Sequence, residues 1–77
     1  MPTVFIDHGF RFFFFSNEGN EPVHIHVEKG GKHAKFWLHA VSLARNHGFS
    51  STELQKIKVI IERRKGEIEG KWKEYFH

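Results

Sequence analysis

The chain predicts an α+β fold: a small antiparallel sheet of about four strands, with one face packed by a long C-terminal helix. Three observations carry this reading. Gly30-Gly31 joins two alternating segments whose side chains sort into one apolar and one polar face. Phe10 to Phe15 is a short phenylalanine-rich run, greasy on both sides. Ser50 and Glu53 form a capping box ahead of an apolar stripe at helical spacing.

Thr3 to Ile6 reads as a first strand, followed by a turn at Asp7-His8-Gly9. Phe10 to Phe15 reads as a second strand, broken in pattern only by Arg11. A strand greasy on both faces belongs inside a sheet, because at an edge it invites aggregation. Ser16 to Pro22 is a polar loop rich in turn formers. Two strands then flank Gly30-Gly31, since a two-residue hairpin loop needs positive φ at its centre. Counting outward, Lys29 pairs with Lys32, Glu28 with His33, Val27 with Ala34, His26 with Lys35, Ile25 with Phe36 and His24 with Trp37. One face is Val23, Ile25, Val27, Ala34, Phe36 and Leu38. The other is His24, His26, Glu28, His33, Lys35 and Trp37. A slip of one residue would scramble both faces, so the clean sorting supports this register.

His39 to Phe49 reads as a short helical turn capped by Gly48, with an extended start as the alternative. From Ser51 to Tyr75 the residues Leu54, Ile57, Ile61, Ile68, Trp72, Tyr75 and Phe76 make one stripe. Such a helix is about 37 Å long. Gly66 and Gly70 weaken it, and a bend or break is expected near Arg64-Lys65-Gly66. The expected organisation is one domain over 1–77: sheet over 2–39, connecting segment over 40–49, helix over 50–76.

Composition narrows the function classes. At 77 residues the chain buries only about 60% of its unfolded surface, so its core is small. There is no cysteine, which removes disulfides and thiolate metal sites and fits a reducing compartment. No apolar run approaches the roughly 18 residues of a membrane span. The first residues lack the basic region and cleavage site of a signal peptide, so cytoplasmic localisation is expected. Twelve Lys and Arg against nine Asp and Glu are too small an excess to define a nucleic-acid partner. The basic run Arg63-Arg64-Lys65 with Lys71 and Lys73 is interleaved with Glu62, Glu67, Glu69 and Glu74, and reads as a solvated helix face.

The polar hairpin face holds the candidate chemistry. His24 and His26 project the same way, about 7 Å apart along the strand. With ordinary pKa values of about 6.5, both exchange protons near neutrality. Lys35 opposite His26 supplies a cation for a developing anion. A base, an acid and a cation suit metal-independent cleavage of RNA by its own 2′-hydroxyl, with His24, His26 and Lys35 catalytic. Trp37, Arg11 and Glu28 are the candidate substrate-binding groups, Trp37 and Arg11 by stacking a base. On this reading the chain needs no metal and no cofactor. A second reading is a metal site, with the His-x-His pair joined by Glu28 or His39, against which Lys35 argues by repulsion. The plain alternative is a solvated or partner-covered sheet face.

Several motifs in order resemble a bacterial family. Met1 to Val4, Gly9 to Glu18, Pro22-x-His24-x-His26-Val27, Ala34 to Leu38, Gly48-Phe49-Ser50 and Lys71-Trp72-x-Glu74-Tyr75-Phe76 are similar to the domain-of-unknown-function family DUF4160. One departure is Val23, where such sequences commonly carry a second proline. The resemblance implies a small cytoplasmic protein encoded beside another small protein, in the manner of a toxin–antitoxin pair. This chain would then be the toxin-like member, with a small cognate, antitoxin-like protein as partner, RNA as a possible target, and no membrane. The family lends no established catalytic residues.

Overall fold

The computed structural model describes residues 3–76. Met1, Pro2 and His77 lie outside the described residues, and with them the expected start of the sheet at Pro2. The chain forms five strands and two helices: β1 (Thr3–Asp7), β2 (Phe10–Phe13), β3 (His24–Lys29), β4 (Lys32–Trp37), β5 (Ser42–His47), α1 (Ser51–Arg63) and α2 (Lys65–Tyr75). The strands lie side by side in sequence order, each antiparallel to the next. The α+β class is as expected. The strand count is five rather than four, and two consecutive helices replace the single long one.

The central hairpin has the register read from the sequence, all six pairs from His24↔Trp37 to Lys29↔Lys32. Gly30 and Gly31 take φ of 56° and 81°, the doubly positive turn that a two-residue hairpin demands. The Leu38 N–H extends the ladder by donating to the Val23 carbonyl at 3.0 Å. The apolar face of this hairpin joins Phe10, Phe12 and Phe14 and the helix residues Ile57, Ile61 and Ile68 in one core. Phe12, Ile25, Val27, Leu38, Ile57, Ile61 and Ile68 are wholly buried. Each such side chain contributes on the order of 1.5–3 kcal/mol through burial. β2 sits inside the sheet, as its two greasy faces require. It ends at Phe13, two residues short of expectation.

The segment 40–49 holds β5 and not the expected helical turn. Every residue of β5 is exposed, so neither face has an apolar period to announce a strand. Its strand character comes from pairing with β4. Asn46 then turns the chain toward the helix. Its side chain accepts from the Phe49 N–H at 3.1 Å and donates to the Phe49 carbonyl at 3.0 Å. The capping box is present in full, with Ser50 and Glu53 exchanging hydrogen bonds. Lys32 Nζ, 2.6 Å from Glu53, ties β4 to this helix start and holds the Glu53 carboxyl down to about 2.

The break between helices falls at Arg64, within the stretch where the sequence placed it and two residues ahead of Gly66. Arg64 is the clamp. Its guanidinium donates twice to Glu67 at 2.9 and 3.1 Å and once to Asp7 of β1 at 3.1 Å, and it lies 3.6 Å above the Phe5 ring. Lys65, which falls in the apolar stripe by angle, instead donates to the His39 carbonyl at 3.1 Å. The redirected α2 brings Trp72 against Phe14 at 5.3 Å and Phe76 against Phe14 at 5.9 Å. Among the described residues no helix is long and apolar enough to cross a membrane.

The glycines of α2 and of the β2–β3 loop should respond oppositely to alanine. A Cβ at Gly66 or Gly70 meets nothing within 4 Å, so Gly66→Ala or Gly70→Ala should stabilise by about 0.5–1 kcal/mol each through helix propensity. A Cβ at Gly19 would lie 2.4 Å from Phe76 Cδ1, so Gly19→Ala should destabilise by displacing the ring. Urea titrations of the three variants check this; a destabilised Gly66→Ala variant would contradict the helix at that position.

Candidate metal centre

The strand alternation that buries Ile25 and Val27 sends His24 and His26 to the opposite face. That face is not open to water. His24 is 0% exposed, His26 6% and Lys35 8%, which corrects the expectation of a solvated surface. Two elements cover it. The loop from Phe14 to Val23 folds back over the strands, and α2 supplies Trp72, whose ring lies 5.0 Å from His24. Around the imidazoles stands an aromatic wall. Phe13 stacks on His26 at 5.5 Å, Phe15 meets its edge at 4.5 Å, and Trp37 lies 5.7 Å from His24.

The loop also brings in two carboxylates absent from the sequence reading of the site. Glu18 Oε1 lies 2.8 Å from His24 Nε2 and 2.6 Å from His26 Nε2. Glu21 Oε1 lies 2.6 Å from Lys35 Nζ and 4.0 Å from His24 Nδ1. His24, His26, Lys35 and Trp37 are thus brought together, with Lys35 Nζ 4.6 Å above the Trp37 ring. Arg11 and Glu28 stand on the same face further along and are engaged with each other at 2.6 Å, with Arg11 also donating to Thr3 Oγ1 and lying over Phe13. Glu28 is therefore not the third group of a His-x-His metal site. Nor is His39, which is exposed in the turn after β4. The carboxylate that stands beside both rings is Glu18. The only sequence signal for it is proximity: Glu18 and Glu21 sit in the loop that runs into the His-x-His strand, which does not by itself say where their carboxylates land.

The hydrogen bonds define an electrostatic problem. His24 Nδ1 lies 2.9 Å from the Pro22 carbonyl oxygen, which can only accept. Nδ1 therefore carries the proton, and in the neutral ring Nε2 is a bare lone pair. It is aimed at Glu18 Oε1, which as a carboxylate is also an acceptor. Two acceptors at 2.8 Å repel unless a cation stands between them, a proton or a metal ion. Burial acts to raise the Glu18 pKa, but the hydrogen bonds from His24 and His26 outweigh it and keep the group below its ordinary range, ionised. Burial pushes His26 down from its ordinary 6.5, against the opposing pull of Glu18, which favours a neutral ring. Two carboxylates and one ammonium leave the cluster with one uncompensated negative charge when both imidazoles are neutral. One further cation completes it.

Among the described residues, Glu18, His24 and His26 also form a group whose ligand atoms lie within 4.8 Å of one another. Two imidazole nitrogens and a carboxylate oxygen are a donor set for a borderline divalent ion such as Zn²⁺. The Pro22 carbonyl on Nδ1 orients His24 and fixes the tautomer that leaves Nε2 to ligate. The expected objection to a cation, repulsion by Lys35, is met by Glu21, which pairs with that amine. With metal–ligand lengths near 2.1 Å, neighbouring donors in a tetrahedral set stand about 3.4 Å apart. The Glu18 contacts at 2.6 and 2.8 Å are shorter than this and the 4.8 Å spread of the three ligand atoms is wider, so an ion would require Glu18 to retreat and the imidazoles to close on each other.

The fold and the site together define a small α+β domain with a buried His–Glu–His cluster. The chain belongs to the DUF4160 family, described as a domain of unknown function, whose model matches residues 9–73. No curated protein and no solved structure matches the chain.

The pKa directions predict acid sensitivity. His26 and Glu18 are both depressed in the folded state, so each contributes stability above its unfolded value, 6.5 and 4.5, and loses it as pH falls through the folded one. Stability of the metal-free protein should decline from near pH 6.5 downward. Denaturant titrations across that range check this; a profile that stays flat from neutrality to pH 5 would contradict it.

Proposed function

We propose that this is a divalent-metal-binding domain whose ion is held by His24 Nε2, His26 Nε2 and Glu18 Oε1. One observation carries the reading: the Pro22 carbonyl fixes the His24 tautomer so that its free lone pair faces a carboxylate oxygen already shared with His26. That arrangement calls for a cation at the centre. The ion would fasten the loop carrying Glu18 to the strand carrying the histidines. Three protein donors also leave a coordination position for water or a substrate atom, as catalytic zinc sites do. Glu18 is the most accessible of the three donors, its side chain 19% exposed, and marks the side from which an ion enters.

The test is metal binding by tag-free, chelator-stripped protein. Titration with Zn²⁺ should show one equivalent bound with release of protons, and a higher melting temperature. Glu18→Ala, His24→Ala or His26→Ala should weaken binding by more than about 100-fold, since loss even of an orienting neighbour costs 10–100-fold. Glu28→Ala should leave it intact. Equal affinity in the Glu18→Ala variant would refute this ligand set.

A second reading keeps the face nucleolytic: the toxin-like, cytoplasmic member of a two-protein module, acting on RNA through His24, His26 and Lys35 without metal. The convergence of these three groups supports it. It further requires the loop over Glu18 and Glu21 to lift, because all three are buried and Lys35 is committed to Glu21. RNA cleavage that persists in excess chelator and disappears in a His24→Ala, His26→Ala double variant would favour it over the metal centre.

A further inference from the structure

A second feature lies away from the histidines, along the flank of α1. Between that helix and the β1–β2 turn runs an open groove of about 770 Å³. One wall is the helical stripe Thr52, Lys56, Val59, Ile60 and Arg63, spaced three and four apart. The other is Phe10 with Lys29 at the end of β3. The floor is apolar: Phe10 and Ile60 are nearly buried, and Val59 is 39% exposed. The rim is cationic on both sides. Lys56 and Arg63 are exposed on the helix wall and have no ion pair among those seen in the described residues. Lys29 faces them from the sheet, its amine 4.8 Å above the Phe10 ring. The one carboxylate lining the groove, Glu53, is neutralised by Lys32.

We propose that this groove seats an acidic amphipathic segment of a second protein. Charge complementarity selects the sign: among the described residues three cations without an ion pair border the apolar floor, and the acid that lines it, Glu53, is already paired. The floor selects the class. Val59 and Ile60 offer contacts to apolar side chains that a phosphate backbone would not use. RNA would need exposed aromatic rings to stack its bases; here Phe10 is 3% exposed, and the exposed His8 imidazole at the groove's end is engaged with Asp7. Helix-in-groove docking, with apolar anchors at every third or fourth residue, matches a wall built from one helix of 13 residues. The segment's anchors lie on Val59 and Ile60 while its carboxylates reach Lys29, Lys56 and Arg63.

The probe is a synthetic peptide of about three helical turns with leucines on one face and glutamates on the other. Controls are the same peptide with lysines for glutamates, and a single-stranded RNA of similar length. Amide shifts in the full chain should map the glutamate peptide to Lys56, Val59 and Lys29, with affinity falling as salt rises. Lys56→Glu combined with Arg63→Glu should weaken binding by about tenfold or more, and Val59→Ser should weaken it without changing the salt dependence. Circular dichroism verifies that these surface variants are folded. No groove shifts with the glutamate peptide, equal binding of the lysine peptide, or tighter RNA binding that ignores Val59→Ser would each overturn the proposal.

Discussion

Everything on the polar face of the sheet depends on where the Glu18 carboxylate sits. One oxygen accepts from, or shares a cation with, two imidazoles that a single strand holds two residues apart. For the carboxylate to reach them, the chain leaving β2 must double back over the strand it is about to enter. That return path accounts for the rest of the cover. It lays Phe15 against the edge of His26, brings Gly19 under the Phe76 ring, and leaves His24 to be closed by Trp72. The Arg64 break in the helical layer belongs to the same arrangement. The clamp to Asp7 and Glu67 redirects α2 so that Trp72 and Phe76 meet Phe14 and the loop.

The Glu21–Lys35 pair sets the charge state of the site. A lysine at 8% exposure is expensive unless paired, so removing Glu21, itself partly exposed, would leave a nearly buried ammonium uncompensated. The pair cancels, so Glu18 is left as the cluster's net charge. A half-buried carboxylate facing two neutral rings is also unfavourable on its own. The cluster is therefore an acceptor for one positive species, and proton and metal ion compete for the same nitrogen lone pairs.

The central hairpin was legible because its information is local and redundant. Gly30-Gly31 fixes the turn, and the alternation fixes which residues face the core, so His24, His26, Lys35 and Trp37 fall on one face without knowledge of the rest. Arg11 and Glu28 also lie on that face, but the cross-strand pairing of β2 with β3 ties them to each other, outside the cluster. Glu18 and Glu21 were not legible in their role. A loop residue has no period, and its reach depends on how the chain returns. β5 was hidden for the opposite reason: it is wet on both faces, so its sequence carries no burial signal, and Gly48 resembles a helix cap. The break at Arg64 was foreseen from the glycines, although the side chain that holds it bonds to β1, 57 residues earlier.

Burial decides how the two functional readings of the His face relate. Proton-transfer catalysis on a polymer needs the reacting oxygen within hydrogen-bond reach of an imidazole nitrogen. In this fold the His24 and His26 Nε2 atoms already share one carboxylate oxygen, and His24 Nδ1 faces a backbone carbonyl. A polymer substrate must first displace Glu18 and with it the loop that Phe76 and Trp72 support. On the proposed metal reading an ion would enter beside Glu18 and compete with protons for the imidazole lone pairs, without the loop having to open for a polymer. The same geometry that obstructs a nucleotide therefore favours a cation, and for this reason the metal centre stands first.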